Sequence, residues 1–313
     1  MKILVVGAGA IGGYYGARLL DAGADITFLV RPGRAAMLSA LGLKVRSALG
    51  DFDAPVHTVQ RDMLKQEYDL VLLSCKAFDL DAAIADFAPA VGSQTVVLPF
   101  LNGLSVYDHL DARFGRERIA GGVSYIATTL GADGVIRHDG TNDVVQVGAR
   151  VPAALQAVQR FHELISRSAG VRSMLPDIEQ ALWNKWVMLA AGALMTCLMR
   201  GTVGEILASQ DGMHLMNQAI DECSTISATE DHPLSADDLG RIRARLLDPQ
   251  STWAASMMRD IASSAPRVEA DAIVGDLLVR AMRHRIDLPL ARVAYCHLQV
   301  YQRRRHAGAA AAR

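Results

Sequence analysis

Lys2-Ile3-Leu4-Val5-Val6-Gly7-Ala8-Gly9-Ala10-Ile11-Gly12-Gly13 decides the fold. A short apolar run ends on a Gly-x-Gly-x-x-Gly pattern. Helical spacing follows, with Ile11, Tyr14, Tyr15, Arg18 and Leu19 on successive turns and Gly23 closing the segment. Residues 25–30 form a second apolar strand. Strand, glycine turn, helix and strand within about 30 residues make the unit that binds dinucleotides. Gly7 permits the tight turn, Gly9 lets the backbone approach a pyrophosphate, and Gly12 lets helix and strand pack closely. The helix start offers N–H groups and a positive dipole end to the phosphates. Gly7, Ala8, Gly9, Ala10, Ile11 and Gly12 are therefore candidate cofactor contacts.

The end of the second strand selects between cofactors. NAD sites place Asp or Glu there, accepting from the ribose 2′-hydroxyl. This chain has Phe28-Leu29-Val30-Arg31-Pro32-Gly33-Arg34, with two arginines and no carboxylate. A guanidinium pairs with a 2′-phosphate through charge-assisted hydrogen bonds. NADP(H) is the expected cofactor, with Arg31 the main contact and Arg34 a second candidate.

Outward from this unit, residues 70–74 and Val96–Pro99 are further apolar strands, and helical patterns separate them, as in a parallel sheet. Residues 123–129, 135–138 and 144–147 read as an antiparallel extension of that sheet. Gly131-Ala-Asp-Gly134 and Asp139-Gly140 serve as its turns, and residues 171–174 as a last strand. After Pro176 the pattern is helical, over about 177–199, 202–209, 211–229, 235–247, 251–262, 266–285 and 289–304. The expected fold class is α/β: a Rossmann-type, doubly wound NADP-binding domain over residues 1–176, then an all-α substrate domain over 177–313.

Net charge is −1, so nothing in the overall electrostatics calls for nucleic acid or an anionic membrane. The basic run Arg303-Arg304-Arg305 leads into residues 306–313, which read as a frayed, solvated tail. Cys75, Cys197, Cys223 and Cys296 are far apart, and the histidines show no ligand spacing, so neither a disulfide framework nor a metal site is expected. Residues 186–199 form a long, mostly apolar run without charge, shorter than the roughly 18 residues that suggest a membrane span. A cytoplasmic protein with a buried helix is the expectation.

Three polar positions stand out. Lys76 follows Ser74-Cys75 at the end of one strand, and Asn102-Gly103 follows the next, where open α/β sheets bind ligands. Lys185 lies inside an otherwise apolar helix, either snorkelling at its edge or functional.

In this order, these residues resemble the ketopantoate reductase family (2-dehydropantoate 2-reductases). The likeness adds Leu182-Trp183-Asn184-Lys185, Ser256-Met257-Met258-Arg259-Asp260, and Glu269-Ala-Asp271 followed by Gly275. The resemblance implies NADPH-dependent reduction of a 2-keto acid, as from ketopantoate to pantoate in pantothenate biosynthesis. It also implies a helical domain like that of 6-phosphogluconate dehydrogenase. It makes Lys185 the proton donor and Glu269 its carboxylate partner. Ser256 would bind the substrate carboxylate, Asn102 both substrate and nicotinamide, and Lys76 the nicotinamide ribose. Helical domains of this kind often pair, so a homodimer is among the expectations, although no interface stripe stands out.

The sequence also departs from the family. Positions on the lysine helix where many members carry asparagine are Leu189 and Ala193, one and two turns beyond Lys185. Trp253 and Val274 replace two more family asparagines. That side of the pocket becomes apolar, which points to a 2-keto acid with an apolar or aromatic side chain. An imine-reducing, opine-type dehydrogenase and a non-catalytic NADP(H)-binding regulatory protein are the alternative readings. Need for an amine co-substrate marks the first, and Lys185→Ala tests the second, since an enzyme would lose most of its kcat yet still bind cofactor.

Overall fold

The computed structural model describes residues 1–311. The chain divides into two units, Met1–Leu101 with Val106–Ala181, and Asn102–Ser105 with Leu182–Arg313.

The first unit holds a five-stranded sheet in the order β5-β2-β1-β6-β7. Its strands are β1 (Lys2–Val6), β2 (Asp25–Leu29), β5 (His57–Val59), β6 (Leu70–Leu73) and β7 (Val96–Pro99), all paired in parallel. β6 and β7 are buried along their whole length. That burial on both faces is why their sequences are unbroken apolar runs rather than alternating ones. Helices α1 (Ala10–Asp21), α2 (Pro32–Leu41), α3 (Leu80–Phe87), α4 (Ser105–Phe114) and α5 (Leu155–Ile165) accompany the strands.

The antiparallel pair expected from the sequence is present as β8 (Gly121–Leu130) and β9 (Val135–Gly148). It belongs to a second, mixed sheet with β3 (Leu43–Arg46), β4 (Phe52–Ala54) and β10 (Val171–Met174). β3, β4 and β5 escape a reading by periodicity, because each has only three or four residues and carries charged or polar side chains. Asp139-Gly140 is not a turn between two strands. It lies inside β9, where the register shifts: Ile126 faces Asp143 but Thr128 faces His138. Gly140, at φ +78°, absorbs the extra chain as a bulge.

A buried ion cluster ties α1 to this second sheet. Asp143 is 2% exposed. Its carboxylate accepts from the Tyr14 hydroxyl at 2.9 Å and the Tyr15 hydroxyl at 3.0 Å. Arg172 on β10 grips the same carboxylate with two guanidinium nitrogens, at 2.8 and 2.6 Å.

The second unit is helical. α6 (Ile178–Met199) enters it and is followed by α7 (Val203–Leu207), α8 (Gly212–Thr229), α9 (Ala236–Leu246), α10 (Ser256–Ala262), α11 (Asp276–Arg283) and α12 (Pro289–Ala311). By length and composition α6 could cross a membrane, but 78% of its most apolar window is buried inside the protein. The buried Glu222 of α8 accepts from the backbone N–H groups of Leu290 and Ala291, at 3.1 and 2.9 Å. A carboxylate there satisfies orphan donors of the first turn of α12 and suits its dipole.

Three helical expectations change. Residues 251–255 are not helical, and helix starts only at Ser256. Their backbone is engaged elsewhere: Trp253 and Ser251 carbonyls accept from Val203 and Gly204 N–H at 2.9 and 2.8 Å, closing the start of α7. The 266–285 segment is helical only from Ala270, beginning with a π-turn, Asp271–Gly275. The tail expected to fray from His306 continues α12 to Ala311, and its last two residues lie outside the described ones. All four cysteines are free thiols, and no metal-binding cluster occurs among the described residues.

Candidate active site

The first unit builds a candidate phosphate cradle around the turn after β1. Gly7 has φ +92°, and its N–H donates to Leu29 O at 3.0 Å. A Cβ on Gly12 would lie 2.1 Å from both Gly7 O and Ser74 Oγ, so only glycine fits there. A Cβ on Gly9 would meet nothing within 4 Å. The chain is thus packed tight on the strand side of the turn and open on the other. That is the shape a pyrophosphate needs at a helix start. Ser74, which sequence reasoning passed over in favour of Lys76, donates from Oγ to Val6 O at 3.0 Å and locks the turn. A hydroxyl closing an apolar strand was the available signal.

The two arginines have different settings. Arg34 donates from Nε to Ala8 O at 2.9 Å and from Nη1 to Gly134 O at 3.4 Å. Its Nη2 is buried without a partner, a donor suited to a phosphate oxygen. Burial lowers its pKa from the ordinary arginine value. Arg31 is 70% exposed in its side chain and pairs with Asp79 at 3.1 Å. Asp79, like Ser74, was not singled out from sequence. Lys76 stands exposed at the start of the short turn Ala77–Asp79 after β6.

The remaining candidates all belong to the second unit. Lys185 is 7% exposed on α6, and Glu269 is 5% exposed. Neither is a solvated surface charge, and Lys185 is not snorkelling. Loss of water lowers the Lys185 ammonium to about 8, against the opposing attraction of the Glu269 carboxylate. Glu269 lies at a bend one residue before the helix that opens with the π-turn. Asn102-Gly103 presses on that turn. Gly103 has φ +99°, and a Cβ there would reach 2.5 Å from Ala272 O. Tyr295 holds the same turn by donating to Asp271 Oδ1 at 2.7 Å. π-turns of this kind recur at functional sites.

The turn of α6 that carries Lys185 is itself anchored. The Trp183 and Trp186 rings flank it in sequence and meet edge to face at 5.3 Å. The Arg280 guanidinium lies 5.2 Å from the Trp183 ring centre and bonds Asp276 and Glu230 at 3.1 and 2.7 Å. Cation–π and charge-assisted contacts thus fix the rotation of α6 about its axis. Asn184 anchors the adjacent side by hydrogen-bonding Asp238.

Between Lys185 and Cys197 every α6 residue is buried except Leu189, which is partly exposed. Ala193 is 1% exposed. Trp253, partly exposed, lies against α6, where a Cβ on Gly192 would sit 2.5 Å from its ring. Thr196 Oγ1 accepts from Ala255 N–H at 3.3 Å and so seats the segment leading to Ser256. Val274 is fully buried and Ser256 half-buried at the head of α10.

Residues 3–151 match the family model "Ketopantoate reductase PanE/ApbA", and residues 177–302 match its C-terminal counterpart. A Bacillus subtilis relative described as an uncharacterized oxidoreductase, YkpB, is 32% identical over 96% of this chain and 99% of its own. The solved 2-dehydropantoate 2-reductase from Geobacter metallireducens is 28% identical, with TM-score 0.85 over 96% of this chain and 99% of that one. D-mandelate dehydrogenase, solved with NADH and anilino(oxo)acetate, shares the fold at TM-score 0.87 and 18% identity, over 98% of this chain and 100% of that one. The chain therefore belongs to the ketopantoate reductase family, whose members are oxidoreductases acting on CH–OH groups.

Proposed function

We propose that this chain reduces a 2-keto acid to a 2-hydroxy acid with NADP(H), using Lys185 as the proton donor. The observation that carries this reading is a buried lysine tuned to about 8, beside a buried glutamate. A general acid is most effective with a pKa near working pH. When bound, the dihydronicotinamide supplies a hydride to the keto carbon. Lys185 Nζ gives its proton to the keto oxygen as charge develops there, and afterwards recovers one from solvent. Glu269 stabilises the ammonium in its dry setting. Ser256 offers a hydroxyl to the substrate carboxylate, and Asn102 an amide to the keto acid.

The pH dependence follows with its sign. Reduction needs protonated Lys185, so kcat/KM is level below about pH 8 and falls roughly tenfold per pH unit above it. Oxidation of the hydroxy acid needs the free amine and rises through the same value. Initial rates in both directions from about pH 6 to about pH 10 test this. Parallel profiles in the two directions would remove Lys185 from the role.

The preferred substrate has an apolar or aromatic side chain. Leu189, one turn from Lys185, is partly exposed where its neighbours up to Cys197 are buried, and neither it nor Ala193 can receive a hydroxyl. Burying an unpaired hydroxyl costs about 1–3 kcal/mol, or roughly one to two orders of magnitude in binding. Turnover of 2-ketoisovalerate and phenylpyruvate is therefore expected to exceed that of ketopantoate by about tenfold or more in kcat/KM. A preference for ketopantoate would instead place the enzyme in pantothenate biosynthesis. Four free thiols suit a reducing cytoplasm.

A further inference from the structure

Arg31 and Asp79 meet across the end of β1. That strand lies between β2 and β6 in the sheet. Arg31 follows β2 and Asp79 follows β6, and their side chains close to 3.1 Å over the strand that leads into the glycine turn. In this fold a carboxylate beside the adenosine ribose accepts from the 2′-hydroxyl of NAD, whereas an arginine there pairs with the 2′-phosphate of NADP. This chain brings both groups to one place, the arginine from the expected strand and the carboxylate from its neighbour.

The two partners differ in freedom. The Arg31 side chain is 70% exposed and that of Asp79 27% exposed. Asp79 sits in a short turn whose backbone is closed by its own N–H donating to Lys76 O at 2.9 Å. An exposed ion pair is weak and opens readily. Arg31 can swing to a new anion, while Asp79 stays and presents a negative charge to whatever Arg31 holds.

We propose that Asp79 determines the cofactor preference of this chain, by competing with the 2′-phosphate for Arg31 and by accepting from the hydroxyls of an unphosphorylated ribose. This rests on the reading of residues 7–12 as a dinucleotide site. Its consequence is that NADPH is favoured only modestly over NADH, by about tenfold or less, because like charges a few Å apart offset much of what Arg31 contributes.

Equilibrium titration calorimetry with NADPH, NADH and the adenosine fragments 2′,5′-ADP and ADP tests the idea without turnover. Asp79→Asn, which keeps the shape and removes the charge, is expected to tighten NADPH and 2′,5′-ADP about tenfold and to leave NADH and ADP unchanged or weaker. In an Arg31→Ala background the gain from Asp79→Asn is expected to fall to about threefold or less, since the two residues act on one group. A ratio of NADPH to NADH affinity that moves less than about threefold on Asp79→Asn overturns the proposal. So does a gain that survives intact without Arg31. Failure of the wild-type protein to bind either dinucleotide would instead overturn the reading of the glycine turn, and this proposal with it.

Discussion

Lys185→Ala lowers kcat by about 100- to 10,000-fold, the range that a positioned general acid supplies. Dinucleotide affinity, which the proposed site draws mainly from residues of the first unit, is expected to stay within about threefold of wild type. The size of the effect comes from the setting of the lysine. At 7% exposure little water is at hand to replace it as a proton donor. Loss of the ammonium also strands the Glu269 carboxylate in a dry place, so a lowered Tm accompanies the loss of activity. Single-turnover reduction and calorimetric cofactor binding, measured on one preparation, separate the two effects. An alanine variant that turns over within about tenfold of wild type would take the proton-donor role from Lys185, whereas a wild-type protein that binds NADPH and reduces no keto acid would favour the passive NADP(H)-binding alternative.

Asp143→Ala destabilises the first unit by about 3–5 kcal/mol, the cost of leaving a buried charge without its partner. The Arg172 side chain is 3% exposed and keeps its charge. Two tyrosine hydroxyls lose their acceptor at the same time. At about 2–4 °C per kcal/mol for a unit of this size, Tm is expected to fall by roughly 10 °C. Tyr14 and Tyr15 lie on α1, so a weakened anchor also loosens the helix that follows the glycine turn. Thermal unfolding with and without saturating NADPH measures both consequences. A Tm within about 2 °C of wild type would show that the cluster is no more than neutral to stability.

How much of this was legible in the sequence varied with how local the cause was. β1, β6 and β7 were readable because burial on both faces leaves its own mark, an unbroken apolar run. The glycine turn was readable because backbone geometry restricts residue type. β3, β4 and β5 were not, because their strand character comes from pairing with distant partners. Residues 251–255 have a composition that allows helix, but their backbone is committed to the start of α7, and periodicity carries no trace of that. Lys185 was visible as a charge in an apolar helix, and the structure supplied its burial. Asp79 and Ser74 escaped notice because each matters through a partner more than forty positions away, at Arg31 and Val6.

Trp183, Trp186 and Trp253 are the three tryptophans of the chain, and all belong to the second unit. Two flank Lys185 in sequence and the third lies against the same helix. Ultraviolet emission excited at the indole band therefore originates wholly from the neighbourhood of Lys185. The enzyme carries an intrinsic optical reporter there, and a keto acid bound at the proposed site would register without any label.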